Sequence, residues 1–172
     1  TFADIAKFWA KDEIEVLASR SIIKGKDNGN FGGNDNITRA QFATLLTRAL
    51  NLPTAEFEGV FKDVTAAQTS SNLEIEAAYR AGIVTGGQDG NFRPYENITR
   101  EQMAAMIVRA IEYKNAELLG DVAEVDFLDA SKISSYAKTA VAQAAALDVL
   151  KGRENGTFGP KDNATRAQAA TV

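Results

Sequence analysis

The sequence contains no cysteine and no histidine among its 172 residues. Thiolate nucleophiles, disulfides, Cys/His zinc sites and imidazole acid–base chemistry are therefore excluded. The chain also lacks any apolar run close to the roughly 20 residues that a membrane-spanning helix needs, so no membrane insertion is expected. Its first residues have neither the basic start nor the apolar stretch of a signal peptide. If the protein is exported, we expect that segment to have been removed already.

Basic residues are slightly outnumbered by acidic ones. The chain has 23 Asp and Glu against 19 Lys and Arg, which gives a formal net charge of −4. General nucleic-acid binders usually carry a large basic excess, so no nucleic-acid partner is expected. Apolar residues make up 45% of the chain and charged residues 24%, a balance typical of a folded protein rather than a disordered one.

An internal repeat in three copies organises the chain. A glycine-rich turn that ends in phenylalanine recurs without internal gaps at Gly25–Phe31, Gly86–Phe92 and Gly152–Phe158. A Thr-Arg pair follows each turn, and each copy opens on Phe-x-Asp. The ordered recurrence of these short motifs predicts three units of the same structure.

Length differences between the copies fall mostly in the segments that join them. The predicted units and linkers are residues 1–52 (copy one), 53–60 (linker), 61–113 (copy two), 114–126 (linker) and 127–172 (copy three). Copy three stops soon after its second helix begins, and we expect it to be clipped at its C-terminal end.

Each copy is predicted to form two helices around a turn-rich loop. The second helix is marked by apolar residues at the spacing of one helical face, as in Phe42, Leu45 and Leu46. The first helices are predicted at Lys11–Ser21, Leu73–Ala81 and Ser134–Leu147. One helical hairpin cannot bury its apolar face alone, so neighbouring copies must share a core. The predicted fold class is all-α, and the sequence allows both an open solenoid and closure around a pseudo-threefold axis.

The start of each second helix carries a Thr-Arg-x-Gln motif. Threonine with glutamine three residues later predicts a capping box, in which each side chain binds the other residue's backbone N–H. The glutamines are Gln41, Gln102 and Gln168. Capping does not explain the arginine, since a cation in the first turn opposes the helix dipole, at a cost of about 0.3–1 kcal/mol when exposed. The arginines are Arg39, Arg100 and Arg166.

Two kinds of partner would compensate these arginines, and the residues alone leave both open. One is an internal carboxylate, for which the Phe-x-Asp residues Asp4, Asp63 and Asp129 are candidates. The other is an external anion, because helix-start amides and a guanidinium fork together suit a carboxylate or a phosphate.

Aromatic residues stand near the same loops. Trp9, Ser70 and Tyr136 occupy matching positions in the three copies. Burial in the core is the ordinary role of a single aromatic residue, whereas a flat ring beside an arginine and a polar loop is also suited to holding a sugar. Ser70 predicts that the three sites are not equivalent.

Other chemistries fit the sequence poorly. An EF-hand loop needs an acidic residue five positions before its glycine, and those positions hold Lys24, Thr85 and Lys151. No metal site and no cofactor are therefore predicted. A glycosidase needs paired carboxylates in a cleft, and the acidic residues show no distinctive pairing, so no enzymatic activity is expected.

Taken together in order, these motifs resemble the S-layer homology repeat. The resemblance covers nearly the whole chain as three tandem copies, and copy two carries it most fully. Its matching segments are Phe61-Lys62-Asp63-Val64, Gly82-Ile83-Val84-Thr85-Gly86, Asp89-Gly90-Asn91-Phe92-Arg93-Pro94 and Ile98-Thr99-Arg100-Glu101-Gln102.

The resemblance implies a secreted module at the surface of a Gram-positive bacterium. Such modules anchor S-layer and other exocellular proteins, without a covalent bond, to secondary cell-wall polysaccharide. In many of them the recognised group is a terminal pyruvylated N-acetylmannosamine, whose ketal carries a carboxylate. The resemblance also implies a pseudo-threefold assembly with grooves between copies, and an S-layer or other cargo domain C-terminal to this chain.

The same resemblance assigns candidate glycan-binding residues. The family's arginine corresponds to Arg39, Arg100 and Arg166, its turn glycine to Gly25, Gly86 and Gly152, and its aromatic residue to Trp9 and Tyr136. Gln41 and Gln102, beside these arginines, complete the predicted site. Glutamine here replaces the family's usual glutamate, and Ser70 breaks the aromatic position, which puts the equivalence of the three grooves in question. The alternative is a purely structural or oligomerising repeat with the arginines in internal ion pairs.

Overall fold

The computed structural model describes residues 2–172, and its regular structure is helical. The helices are α1 (Lys11–Ser19), α2 (Arg39–Ala49), α3 (Asn72–Arg80), α4 (Arg100–Asn115), α5 (Lys138–Ala146) and α6 (Arg166–Thr171). Short 3-10 turns lie at Ala3–Ile5, Ala116–Leu118, Ala130–Lys132 and Ser135–Ala137. None of residues 2–172 belongs to a β-strand, and none of their helices is long and apolar enough to span a membrane. The predicted all-α class, with two helices in each copy, is confirmed.

Capping boxes start the second helix of every copy, as predicted. In copy one, the Thr38 hydroxyl accepts a hydrogen bond from the Gln41 backbone N–H at 3.2 Å, and the Gln41 side-chain oxygen accepts from the Thr38 N–H at 3.0 Å. The same reciprocal pair forms at Thr99 and at Thr165. Each box satisfies two backbone donors that would otherwise lack a partner at the helix start.

The first helices end earlier than the apolar pattern predicts. α1 ends at Ser19, because Ser21 adopts a left-handed backbone conformation with φ of 58°. Asp148 and Gly82, at the matching positions, have φ of 60° and 75°. The first helix of copy three, α5, also starts later than predicted, at Lys138, because a 3-10 turn occupies Ser135–Ala137.

Helix packing joins different copies rather than the two helices of one copy. α2 of copy one packs against α3 of copy two, α4 of copy two against α5 of copy three, and α6 of copy three against α1 of copy one. The four phenylalanines Phe31, Phe42, Phe92 and Phe158 are fully buried in the resulting core. The prediction that neighbouring copies share a core is confirmed.

Backbone hydrogen bonds between the copies form a cycle just before the second helices. The Ile37 N–H donates to the Ala164 carbonyl at 3.2 Å, the Ala164 N–H to Ile98 at 2.9 Å, and the Ile98 N–H to Ile37 at 3.0 Å. Each copy thus donates once and accepts once. This cycle brings the starts of the three second helices together, and a pseudo-threefold symmetry of the whole assembly stays a prediction.

The two linkers are held differently. In the first, the buried carboxylate of Glu76 accepts hydrogen bonds from the N–H groups of Glu58, Gly59 and Val60 at 2.7–3.0 Å. Copy three has Ala142 at the position of Glu76, and a cavity of about 480 Å³ lies there between α5 and residues 122–125 of the second linker. The predicted limits of the units stay a prediction, although α4 continues to Asn115, beyond the predicted start of the second linker.

Candidate functional site

The three motif arginines lie at the junctions between copies. Each donates its Nε–H to the backbone carbonyl of the phenylalanine that ends the turn of the neighbouring copy, at 2.8–3.0 Å. Each guanidinium carbon also lies 4.7–4.9 Å from the centroid of that same ring, within the range of a cation–π contact. The pairs are Arg39 with Phe92, Arg100 with Phe158 and Arg166 with Phe31. The capping motif of one copy therefore holds the turn of the next.

The Phe-x-Asp carboxylates bind backbone groups instead of these arginines. Asp4 accepts from the N–H groups of Phe31 and Gly32 at 2.7 and 2.8 Å, and Asp63 and Asp129 accept from the matching residues of their own turns. These backbone donors hold the pKa of Asp4 below its ordinary value. Within residues 2–172, no carboxylate lies within 4.0 Å of the three guanidiniums. The predicted alternative of direct Arg–Asp ion pairs is therefore wrong for the described residues.

The electrostatic setting of the arginines follows from this arrangement. Burial lowers the pKa of Arg39, Arg100 and Arg166, and more distant carboxylates oppose that shift. An arginine in a protein nevertheless stays protonated. Each junction therefore holds a positive charge that contacts carbonyl oxygens and an aromatic ring. Arg39 and Arg166 are partly buried, whereas Arg100 is only 4% exposed.

The three guanidiniums differ in how many hydrogen bonds they make. Arg100 and Arg166 each donate a second bond, from Nη2 to the carbonyls of Lys151 and Lys24 respectively, at 2.7 Å. Arg39 makes its bond through Nε, and within residues 2–172 neither of its Nη atoms has a hydrogen-bond partner. Its outer edge therefore keeps its donors available to a ligand.

The two aromatic candidates are exposed. Trp9 is 65% and Tyr136 is 55% exposed, so the alternative that they belong to the core is wrong. The Trp9 ring contacts the Phe8 ring, with centroids 5.8 Å apart. Exposed rings of this size are available to stack on a ligand.

Packing alone explains why glycine occupies these positions of the turns. A Cβ atom added at Gly86 would lie 2.7 Å from Cε1 of Phe61, and one added at Gly25 or Gly152 would lie closer still to the matching ring. The opening phenylalanine of each copy thus lies directly on the turn, where only glycine leaves room. Contact between these glycines and a glycan stays a prediction.

A cavity of about 400 Å³ brings several predicted site residues together where the three copies meet. Arg166 from copy three, Gly25 and Gln41 from copy one and Ser70 from copy two all line it. The glutamine side chain serves both its capping box and the cavity wall. Residues that the sequence analysis assigned to matching motifs of the three copies therefore lie together at this junction.

Three residues at the junctions between copies were not among the predicted site residues. Arg48 and Glu74 line the same cavity and form an ion pair at 3.7 Å. Glu101 is only 3% exposed and accepts hydrogen bonds from the backbone N–H and the hydroxyl of Ser134, both at 2.9 Å. The repeat contained one usable signal, since Arg48 recurs as Arg109 in copy two. Nothing in the repeat pointed to Glu101.

Comparison with known protein families gives one match that covers most of the chain. The model of the S-layer homology domain matches residues 1–43, 60–104 and 126–170. These three segments correspond to the three copies, and each contains one of the glycine-rich turns and the Thr-Arg pair that follows it.

Similar proteins include enzymes and a surface-layer protein. An endoglucanase of Bacillus sp. (strain KSM-635) is 44% identical over 99% of this chain and 18% of its own length. An amylopullulanase of Thermoanaerobacterium thermosulfurigenes is 43% identical over 100% of this chain and 9% of its own length. A surface-layer 125 kDa protein of Lysinibacillus sphaericus is 36% identical over 95% of this chain and 14% of its own length. The chain thus spans less than a fifth of each relative.

Proposed function

The chain belongs to the S-layer homology domain family, and from that premise we propose that it anchors the protein that carries it to the bacterial cell wall. The attachment is non-covalent, at the surface of a Gram-positive bacterium, with a cargo domain C-terminal to this chain. Relatives named for different activities share this segment. That sharing supports a role common to all of them, so no catalysis is proposed for this chain.

The ligand in this proposal is secondary cell-wall polysaccharide that ends in pyruvylated N-acetylmannosamine. The observation that carries it is the set of three junction guanidiniums, none of which has a carboxylate within 4.0 Å in residues 2–172. A guanidinium binds a carboxylate through two parallel hydrogen bonds, and the pyruvyl ketal presents a carboxylate. The exposed faces of Trp9 and Tyr136 suit the sugar ring.

Calorimetric titration tests this ligand most directly. The chain is titrated with pyruvylated N-acetylmannosamine and, separately, with the same sugar without the ketal. Binding of the pyruvylated sugar alone is expected, because the ketal supplies the charge that the arginines compensate. Equal binding of both sugars, or of neither by a folded chain, would overturn the proposed ligand. A pull-down on purified cell walls then tests whether anchoring survives that result.

Aromatic variants separate binding from folding. Trp9→Ala and Tyr136→Ala remove exposed rings, so each is expected to weaken glycan binding at its own junction about 5- to 100-fold while the thermal midpoint stays nearly unchanged. Tyr113→Ala is the matched control, because Tyr113 is 51% exposed on α4 and is not a predicted site residue. Loss of affinity in this control equal to that of the other two would remove the case for a specific site.

A purely structural role is the second candidate, and the bonds from each arginine to the neighbouring copy favour it. It predicts that the double variant Arg39→Ala/Arg100→Ala lowers thermal stability and leaves glycan binding intact. The anchoring proposal predicts that binding is lost even at temperatures where circular dichroism shows the variant folded.

A further inference from the structure

Two of the junctions can be compared residue by residue, and they differ. We name the first the Ser70 groove, formed by Gly25, Gln41, Arg48, Ser70, Glu74 and Arg166. The packing of α2 on α3 that builds it recurs as the packing of α4 on α5. The matching residues at that second junction define the Tyr136 groove: Gly86, Gln102, Arg109, Tyr136, Ala140 and Arg39.

Charge is the first difference between the grooves. In the Ser70 groove the Glu74 carboxylate lies 3.7 Å from Arg48. Its counterpart in the Tyr136 groove is Ala140, and among residues 2–172 Arg109 has no carboxylate within 4.0 Å. The Arg109 side chain instead makes a long hydrogen bond, 3.4 Å, to the carbonyl of Ile83. The second arginine is thus neutralised in one groove and left unpaired in the other.

The motif arginine also has fewer protein partners in the Tyr136 groove than in the Ser70 groove. Arg166, in the Ser70 groove, uses both Nε and Nη2 on backbone carbonyls. Arg39, in the Tyr136 groove, uses only Nε within residues 2–172. Two guanidinium nitrogens therefore stay available there, which is the number that a bidentate carboxylate contact requires.

The aromatic ring supplies a third difference. Tyr136 is about half exposed where the other groove has Ser70. Burial raises the pKa of the Tyr136 hydroxyl, the charge of Glu101 acts in the same direction, and the charges of Arg39 and Arg109 oppose both. The Glu101 carboxylate is itself bound to Ser134 and Lys161. The Tyr136 groove thus combines an aromatic ring with two arginines, Arg39 and Arg109, that have no carboxylate partner among residues 2–172.

We propose that the Tyr136 groove is the principal site for an anionic sugar in this chain and that Arg109 is a second cationic contact there. The third junction is less suited to an anion, because its motif arginine, Arg100, is only 4% exposed and is bonded to two backbone carbonyls. The Ser70 groove binds the same ligand more weakly, because Glu74 neutralises Arg48 and no ring is present. This inference rests on the proposed function and assigns it to one junction, with Ala140 and Glu74 as the residues that set the difference.

A pair of charge variants tests the assignment by calorimetry on the whole chain with pyruvylated N-acetylmannosamine. Ala140→Glu places a carboxylate beside Arg109, as Glu74 stands beside Arg48, and it is expected to lower the affinity of the strongest site at least about tenfold. Arg109→Ala is expected to lower it about 5- to 50-fold. Lys114→Ala is the matched control, because it removes an exposed positive charge from the same helix, α4, outside both grooves, and it is expected to leave the strongest site unchanged.

A gain-of-function variant completes the experiment. Ser70→Tyr combined with Glu74→Ala gives the Ser70 groove the residues of the other groove, and we expect the number of strong sites to rise by one. Strong binding that is unchanged in Ala140→Glu and Arg109→Ala would overturn the assignment while the proposed function stands. A folded wild-type chain that binds no pyruvylated sugar would overturn both together.

Discussion

At the scale of single residues, each turn glycine has two possible explanations, contact with a glycan and close packing against a phenylalanine ring. Sequence resemblance marks Gly86 as a glycan contact, and the structure shows that the Phe61 ring leaves no room for a side chain there. The packing requirement alone is enough to keep glycine at this position. A glycine variant therefore reports first on folding, and a binding defect in it is informative only after stability has been measured.

Gly86→Ala is expected to lower the free energy of unfolding by about 1–3 kcal/mol, since an added methyl group overpacks a filled contact. Urea denaturation of the whole chain measures the change. The control is Gly120→Ala, because a Cβ atom added at Gly120 would meet no atom within 4 Å. Equal effects of the two substitutions would contradict the packing explanation.

Glu76 is a second residue whose role depends on its surroundings. Burial opposes ionisation of this carboxyl, but three backbone N–H groups and Arg80 outweigh burial and hold its pKa below the ordinary value. A depressed folded-state pKa means that the carboxylate contributes stability above the pKa of the unfolded chain. That contribution is lost as the pH falls through the folded-state pKa.

The thermal midpoint is therefore expected to fall as the pH drops from about 4.3, the ordinary pKa of glutamate, towards more acidic values. Glu76→Gln removes the titrating group, so the variant is expected to be less stable at pH 7 and to show a shallower decline in acid. Thermal melts from pH 7 to pH 2 measure both effects. An acid slope identical to that of the wild type would assign the acid sensitivity to other carboxyls.

At the scale of elements, the ends of the first helices depend on a left-handed residue that only copy two supplies as glycine. Ser21 and Asp148 have φ near 60°, as Gly82 does with φ of 75°. The left-handed conformation costs a residue with a Cβ atom roughly 1–2 kcal/mol, and glycine adopts it readily. Copies one and three therefore carry local strain that copy two does not.

Ser21→Gly is expected to stabilise the chain by up to about 1 kcal/mol, and Gly82→Ser to destabilise it by a similar amount. Chemical denaturation of the two variants measures both signs in one experiment. Ser19→Gly is the matched control, since Ser19 lies within α1, where glycine is expected to cost about 0.5–1 kcal/mol. Stabilisation by the control would show that the backbone conformation is not the cause.

Elements also show what the sequence predicts well. The starts of α2, α4 and α6 follow from Thr and Gln three residues apart, because both partners of a capping box are local. The partner of Arg39 is not local: its carbonyl belongs to Phe92 in another copy. The arginines were found by their recurrence, but their contacts follow from how the copies meet, which no short motif contains.

At the scale of the whole molecule, the arrangement of the copies could not be predicted from the sequence, because the contacts that decide it are also not local. An open stack and a closed cycle share the packing of α2 on α3 and of α4 on α5, and the apolar pattern of those helices is the same in both. The hydrogen bond between Ile37 of copy one and Ala164 of copy three joins residues far apart in the chain, and no local motif predicts it. The same junctions hold the arginines, so the candidate site depends on the assembly of all three copies rather than on any one of them.

The cycle of contacts predicts that the chain unfolds as one cooperative unit. A linear repeat array loses its terminal units first, because each end has only one neighbour, whereas here α1 packs against α6. Ile14→Val, at a fully buried position of α1, is expected to cost about 0.5–1.5 kcal/mol. Since the copies share one transition, amide hydrogen exchange should show the same loss of protection in α4 and α5 as in α1.

Val16→Ala is the matched control for this cooperativity, because Val16 lies in the same helix and is 49% exposed. A surface substitution of this kind changes stability by no more than about 0.5 kcal/mol, so protection should stay nearly unchanged throughout. Loss of protection confined to α1 and α6 in Ile14→Val would mean that the junctions open one at a time. In that case a groove would form and disappear independently of the others, and glycan binding at one junction would leave the stability of the other two unaltered.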